Sequence, residues 1–149
     1  MLLANKNIKT RLLGVRLITQ KNKFGCGIAC VASVLNISYE RALEIFPLGK
    51  VMAKKRGFLC SEMIFYLKKA GRNYIYRYLN KKHKRKIYKN GTIVFIKRSV
   101  KYPSGHYLCR FGDKWMDPWI NFQDSKDIQH AKSGFRKRLP GIAIYGIFK

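Results

Sequence analysis

The sequence has no run of about 18 or more apolar residues, so it offers no candidate for a transmembrane helix. Its opening apolar stretch, Met1 to Ala4, is followed at once by Asn5, Lys6 and Lys9, too short a core for a secretory signal. Cysteine is sparse. Cys26, Cys30, Cys60 and Cys109 form no close CxxC pair, so no disulfide framework is expected. A reducing, cytoplasmic setting suits a working thiol better, with secretion or delivery into a target cell as the other setting left open. No internal repeat and no linker divides the chain, so its 149 residues read as one domain, and 47% hydrophobic residues suffice for a proper core. Acids are scarce too. Seven Asp and Glu stand against 32 Lys and Arg, a net charge of +25. That balance favours a polyanionic partner: nucleic acid, an anionic membrane surface or an acidic protein. Because the charge is scattered, it also reads as a lysine-rich solvated surface.

What is present is organised around Gln20-Lys21-Asn22-Lys23-Phe24-Gly25-Cys26-Gly27-Ile28-Ala29-Cys30. A polar run ends in Gly-Cys-Gly and passes into an apolar stretch that reads as a buried helix, with Cys26 in its first turn. Flanking glycines allow a sharp turn and leave the thiol uncrowded. The partial positive charge of a helix N-terminus favours a thiolate, as a nucleophilic cysteine requires. The competing reading of Cys26 is a small buried residue. A nucleophile needs a base and a group to orient it. Gly112-Asp113 is a two-residue hairpin signal between two aromatic-rich runs. Pairing Phe111 with Lys114 sets His106 opposite Trp119 and Asp117 opposite Leu108. His106 and Asp117 then share one face as diagonal neighbours, and the carboxylate can fix the imidazole tautomer. Asp117 before Pro118 also reads as a strand end. His83 and His130 have no evident orienting acid. A zinc site from Cys26, Cys30, His106 and Cys109 is disfavoured, because strand alternation puts His106 and Cys109 on opposite faces.

These residues carry a resemblance. Gln-x5-Cys-Gly-x-Ala-Cys, the section from Gly57-Phe58-Leu59 to Tyr66-Leu67-Lys68-Lys69-Ala70-Gly71, and His106-Tyr107 with Asp117-Pro118 are similar to the bacteriocin-processing peptidases. Those form the double-glycine-leader branch of the papain-like cysteine peptidases. The similarity runs from about residue 20 to residue 119, in the family's order, with a match on to 148. It implies Cys26 as nucleophile, His106 as base, Asp117 as its orienting group and Gln20 as donor to the oxyanion. One departure is Gly25, where the family commonly has Asp. The resemblance implies a papain-like fold in which the Cys26 helix packs on a C-terminal antiparallel sheet. The family's best-known members work fused to a transporter. No membrane segment or nucleotide motif stands here to carry that setting over.

Along the chain, a short strand is expected over 15–19, a helix from Cys26 to near Asn36, and a second over 39–46 capped by Ser38 and closed by Pro47. Residues 48–57 read as a loop, and 62–70 as a third helix capped by Ser61 and ended by Gly71. Strands follow over 73–79, 92–96 and 141–148, with 120–140 wandering over the surface. Helices first and antiparallel strands after mean α+β. The expected activity is a cysteine-nucleophile hydrolase, most directly a peptidase, with deamidation and acyl transfer open to the same constellation. A toxin, an effector or a mobile-element product is a compatible setting. Its substrate is a protein or peptide, in keeping with the charge an acidic one, and no metal or organic cofactor is implied. The alternative is a nucleic-acid-binding protein or a nuclease on this scaffold. For polyanion binding the basic candidates are Lys81, Lys82, Lys84, Arg85 and Lys86, a run without an aromatic residue. Tyr74, Tyr76 and Tyr78, alternating on one strand face, make a better stacking platform.

Overall fold

The apolar run after Gly25 forms α1 (Cys26–Leu35) in the computed structural model, which describes residues 16–149. Every residue of α1 from Gly27 to Val34 is buried, the mark of a helix enclosed on all sides. Asn36 closes it in the left-handed conformation, its N–H reaching Ala32 O and Ser33 O. Ser38 caps α2 (Tyr39–Ile45) by accepting from the Arg41 N–H at 3.1 Å.

Two expectations are corrected next. The 48–57 loop contains a helix, α3 (Gly49–Lys55). Its N-cap is Leu48 in a left-handed conformation, with no side-chain cap to advertise it, and the Phe24 N–H bonds Ala53 O near its end at 2.8 Å. In α4 (Cys60–Lys69), Leu59 and not Ser61 is the N-cap. The Glu62 carboxylate takes the Leu59 N–H at 2.8 Å and is itself gripped by both arms of Arg56 at 3.0 and 2.9 Å. Gly71, at φ +85°, ends the helix as expected.

Six strands follow: β1 (Ile75–Tyr78), β2 (Ile93–Ile96), β3 (His106–Phe111), β4 (Lys114–Asp117), β5 (Gly134–Arg136) and β6 (Ala143–Phe148). All pairings are antiparallel, in the order β1-β6-β2-β3-β4-β5. The arrangement is mixed α+β, helices first. The β3–β4 hairpin has the expected register, Phe111 opposite Lys114. The closing strand does not sit at an edge but enters between β1 and β2. Residues 120–140 hold a 3₁₀ turn (Ile128–His130) and β5, which pairs with β4. Three residues are too few for an alternation to be read. Of the strand expected over 15–19, residue 15 lies outside the described residues. Residues 16–19 form no strand; Thr19 is tied instead to Ser133, Oγ to Oγ at 2.8 Å.

The helices pack on one face of the sheet, where Ile28, Val31, Met63 and Leu67 meet Ile93, Tyr107, Cys109, Met116 and Ile147. The opposite face is covered by irregular segments. There Val94, Ile96, Leu108 and Trp115 gather with Ile87 and Tyr102. Ile87 comes from a 3₁₀ helix (Lys84–Tyr88), so part of the lysine-rich run is anchored by one buried side chain. Among the described residues no helix is long and apolar enough to cross a membrane.

Candidate active site

Cys26 is the first residue of α1, whose N-terminus carries no side-chain cap and no acid in its first turn. It is half-buried and lines a cavity of about 660 Å³ together with Gln20, His106, Tyr107 and Trp119. Turning the chain into α1 depends on a close approach. Gly25 donates its N–H to Asn22 O at 3.0 Å, and a Cβ on Gly25 would collide with the Tyr39 hydroxyl, which donates to Asn22 Oδ1 at 2.8 Å. The space an aspartate would need is therefore taken by Tyr39. Gly27 is less confined: a Cβ there would come within 3.1 Å of Met63 Sδ and 3.3 Å of the Tyr107 ring, tight contacts rather than an overlap. The Cys26 thiol keeps access to the cavity, while the glycines on either side admit close packing around α1.

His106 opens β3, and Asp117 closes β4. Hairpin register makes them neighbours, with His106 Nε2 2.7 Å from Asp117 Oδ1. Asp117 is fully buried, and its donors are fully accounted for. Oδ1 also accepts the Trp119 N–H at 2.9 Å, and Oδ2 accepts Arg136 Nε at 2.7 Å. Burial alone would raise the Asp117 pKa. The charge and hydrogen bond of His106, with the bonds from Arg136 and Trp119, instead hold it below the ordinary carboxylate range. For His106, burial favours the neutral ring, but Asp117 outweighs it through charge and hydrogen bond. Cys26, across the cavity lining, adds in the same direction, and the imidazole is pushed up to about 10. The tautomer and orientation are set from behind by Asp117, which leaves Nδ1 as the ring's other functional nitrogen. Tyr102 stacks flat on the ring, centroids 5.0 Å apart and planes within 7°, and Phe122 stacks on Tyr102 in turn.

Gln20 is buried and lines the same cavity, its N–H bonded to Pro118 O at 3.2 Å. Its side-chain Nε2 donates to Asn22 O and Lys23 O at 3.0 and 3.2 Å, fastening the loop ahead of Cys26. Donation to a bound oxyanion calls for one of these bonds to loosen. The other cysteines differ from Cys26. Cys30 and Cys109 are wholly buried, and burial raises both thiols. Cys60 is raised as well, mainly by burial and in spite of its contact with the Tyr107 hydroxyl at 3.5 Å. His83 and His130 lie outside the cavity lining, although His130 has an acid that the sequence did not suggest, Asp127 at 2.9 Å. The five basic residues of the 81–86 run are exposed, and none of them lines the cavity.

Arg136 and Tyr102 were missed in the sequence. A carboxylate with two oxygens accepts more hydrogen bonds than one imidazole can donate, so further donors were implied. Nothing local marked Arg136 among 32 Lys and Arg, since β5 brings it to Asp117 only through strand pairing.

The fold and site define a mixed α+β chain with a cysteine at a helix N-terminus facing a buried histidine–aspartate pair. No protein-family model, curated protein or solved structure matches the chain.

Proposed function

We propose that this protein is a cysteine-nucleophile hydrolase that cleaves peptide bonds, of the papain-like kind. The observation that carries the reading is the convergence of Cys26 and His106 on one open cavity, with Asp117 buried behind the imidazole. The imidazolium keeps its proton through neutral pH and stands beside the sulfur, which favours an ion pair with the thiolate. The thiolate attacks the scissile carbonyl carbon, and the electron pair moves to the carbonyl oxygen. The N–H groups at the open end of α1, with Gln20 once its amide is released, stabilise that oxyanion. His106 gives its proton to the leaving amine as the C–N bond breaks, leaving a thioester on Cys26. Water, deprotonated by the now neutral His106, attacks the thioester, releases the acid and restores the pair. Deamidation and acyl transfer use the same acyl-enzyme with a different leaving group or acceptor.

The test is selective labelling. Brief iodoacetamide treatment near pH 6, followed by peptide mapping, should modify Cys26 well ahead of Cys30, Cys60 and Cys109, whose thiols burial pushes up. Cys26→Ser should abolish turnover of unstructured protein substrates. Equal labelling of all four, or first labelling of Cys60, would refute the assignment.

A second reading, polyanion binding, has its own observation. A hollow of about 350 Å³, away from the thiol, is lined by Arg85, Lys86, Lys89 and Lys149 around Ile75 and Phe148. Nearby on the same sheet edge Tyr78 is exposed and packs edge-on against Tyr145, as does Tyr76, whereas Tyr74 is buried with its hydroxyl on Gly91 O. The tyrosines left open to stacking are thus Tyr76, Tyr78 and the half-buried Tyr145 rather than Tyr74, Tyr76 and Tyr78, and Tyr76 and Tyr145 also line the Cys26 cavity.

A further inference from the structure

The cavity that holds Cys26 is lopsided in charge. Lys23, Arg56, Arg98 and Lys126 line it, and no Asp or Glu does. A cleft lined by one sign of charge focuses its field on ligands of the other. Four of the chain's seven acids are paired. Glu40 pairs with Lys21, Glu62 with Arg56, Asp117 with His106 and Arg136, and Asp127 with His130. Arg56 is therefore neutralised by Glu62, whereas among the described residues no carboxylate pairs with Lys23, Arg98 or Lys126. These three are exposed and come from separate segments: the loop before Cys26, the chain just after β2, and the segment beyond Trp119. Two of them are held over aromatic rings, Lys23 5.5 Å from the Phe24 centroid and Lys126 4.2 Å from that of Phe122, so their positions are restrained without their charge being spent. Between them the walls are apolar, with Phe58, Phe95, Tyr76 and Tyr145 on the lining.

We propose that this cleft selects an acidic polypeptide segment: an apolar residue seated among the aromatics next to the thiol, and Asp or Glu side chains reaching Lys23, Arg98 and Lys126. The proposal rests on the hydrolase reading for what happens after binding, and on charge complementarity for binding itself. A peptide fits better than a nucleic acid. The cations surround a thiol–imidazole pair suited to attack on a carbonyl carbon, and the lysine-rich run lies outside the cavity. Rim charges of this kind act mainly on the rate and salt dependence of association.

The experiment uses the full chain with Cys26→Ala, so that binding is read without turnover. Three fluorescein-labelled ten-residue peptide pools share one apolar centre and carry Asp/Glu, Asn/Gln or Lys on both sides of it. Anisotropy titrations are run at low salt and at about 0.15 M, where the Debye length falls to roughly 8 Å. The acidic pool should bind at least several-fold tighter than its amide counterpart, and the gap should narrow with salt. Lys23→Glu, Arg98→Glu and Lys126→Glu should each weaken it by roughly threefold to tenfold, and the three Gln variants by less. Equal binding of the acidic and amide pools, or reversal variants that leave the affinity unchanged, would overturn the proposal. So would a single-stranded oligonucleotide that binds tighter and loses affinity through the same three variants. Wild-type protein separates the two readings. Cleavage of acidic and amide pools at equal rates keeps the hydrolase and removes the acid preference. Acid-selective binding with no cleavage keeps the ligand class and removes the hydrolase.

Discussion

At the scale of single residues, the proposed chemistry hangs on Asp117. A buried carboxylate is tolerated only when its acceptors are filled, and here one oxygen serves His106 and Trp119 while the other serves Arg136. In the proposed mechanism Arg136 touches no reacting atom and is a positioning residue, holding Asp117. Arg136→Leu should cost roughly 2 to 4 kcal/mol in urea unfolding, the range for stripping one partner from a buried charge. Arg136→Lys should recover part of that loss, and either change should shift the pH profile of Cys26 alkylation. The pair also predicts how stability follows pH. His106 has a pKa raised from 6.5 to about 10, so the folded chain holds a proton that the unfolded chain releases. Its stabilisation is complete below about 6.5, declines as pH rises and is lost above about 10. Asp117 works in the opposite sense. Its pKa is lowered, so its contribution is present above the ordinary carboxylate range and is lost as pH falls through its folded value. Chemical denaturation of wild type and His106→Gln from pH 6 upward should show the wild-type advantage shrinking towards pH 10; a constant gap would contradict the ion pair.

Among the elements, α1 decides where the thiol stands. Its direction is set by the 22–25 turn and by the Tyr39 hydroxyl occupying the place of a Gly25 side chain. Gly25→Ala should therefore destabilise the chain by about 1–3 kcal/mol, the usual cost of overpacking. Tyr39→Phe in the same chain should return part of it by removing the colliding oxygen. Strict additivity in the double-mutant cycle, read from denaturation midpoints, would show that the two groups do not compete. The β3–β4 hairpin is the other deciding element. A slip of one residue would turn His106 and Asp117 to opposite faces and leave Asp117 buried without its imidazole.

Over the whole molecule, the lysine-rich 81–86 run and the proposed thiol site occupy different places. The 81–86 run is exposed, held by Ile87 beneath it, and apart from the cavity. Replacing Lys81, Lys82, Lys84, Arg85 and Lys86 together by Gln should lower affinity for a single-stranded oligonucleotide and flatten its salt dependence. It should leave the Cys26 alkylation rate unchanged. A drop in alkylation on the same scale as the binding loss would show that the two regions are coupled.

The pattern of residues along the chain was enough for much of this. Gly-Cys-Gly before an apolar run gave the start of α1, Ser38 gave the cap of α2, and Gly112-Asp113 between alternating runs fixed the register that joins His106 to Asp117. Each is a local signal, legible because capping, turn chemistry and period-two alternation act within a few residues. The α3 helix stayed hidden because Leu48 caps it by conformation rather than by residue type, and β5 because three residues make no period. The role of Gly25 was beyond reach because its neighbour Tyr39 belongs to the next helix. Arg136 and the stacked Tyr102 were decided only by the tertiary structure: Arg136 arrives on β5 through strand pairing, Tyr102 is turned back onto the ring by the loop just before β3, and a buried carboxylate demands a partner without saying which of 32 cations will provide it.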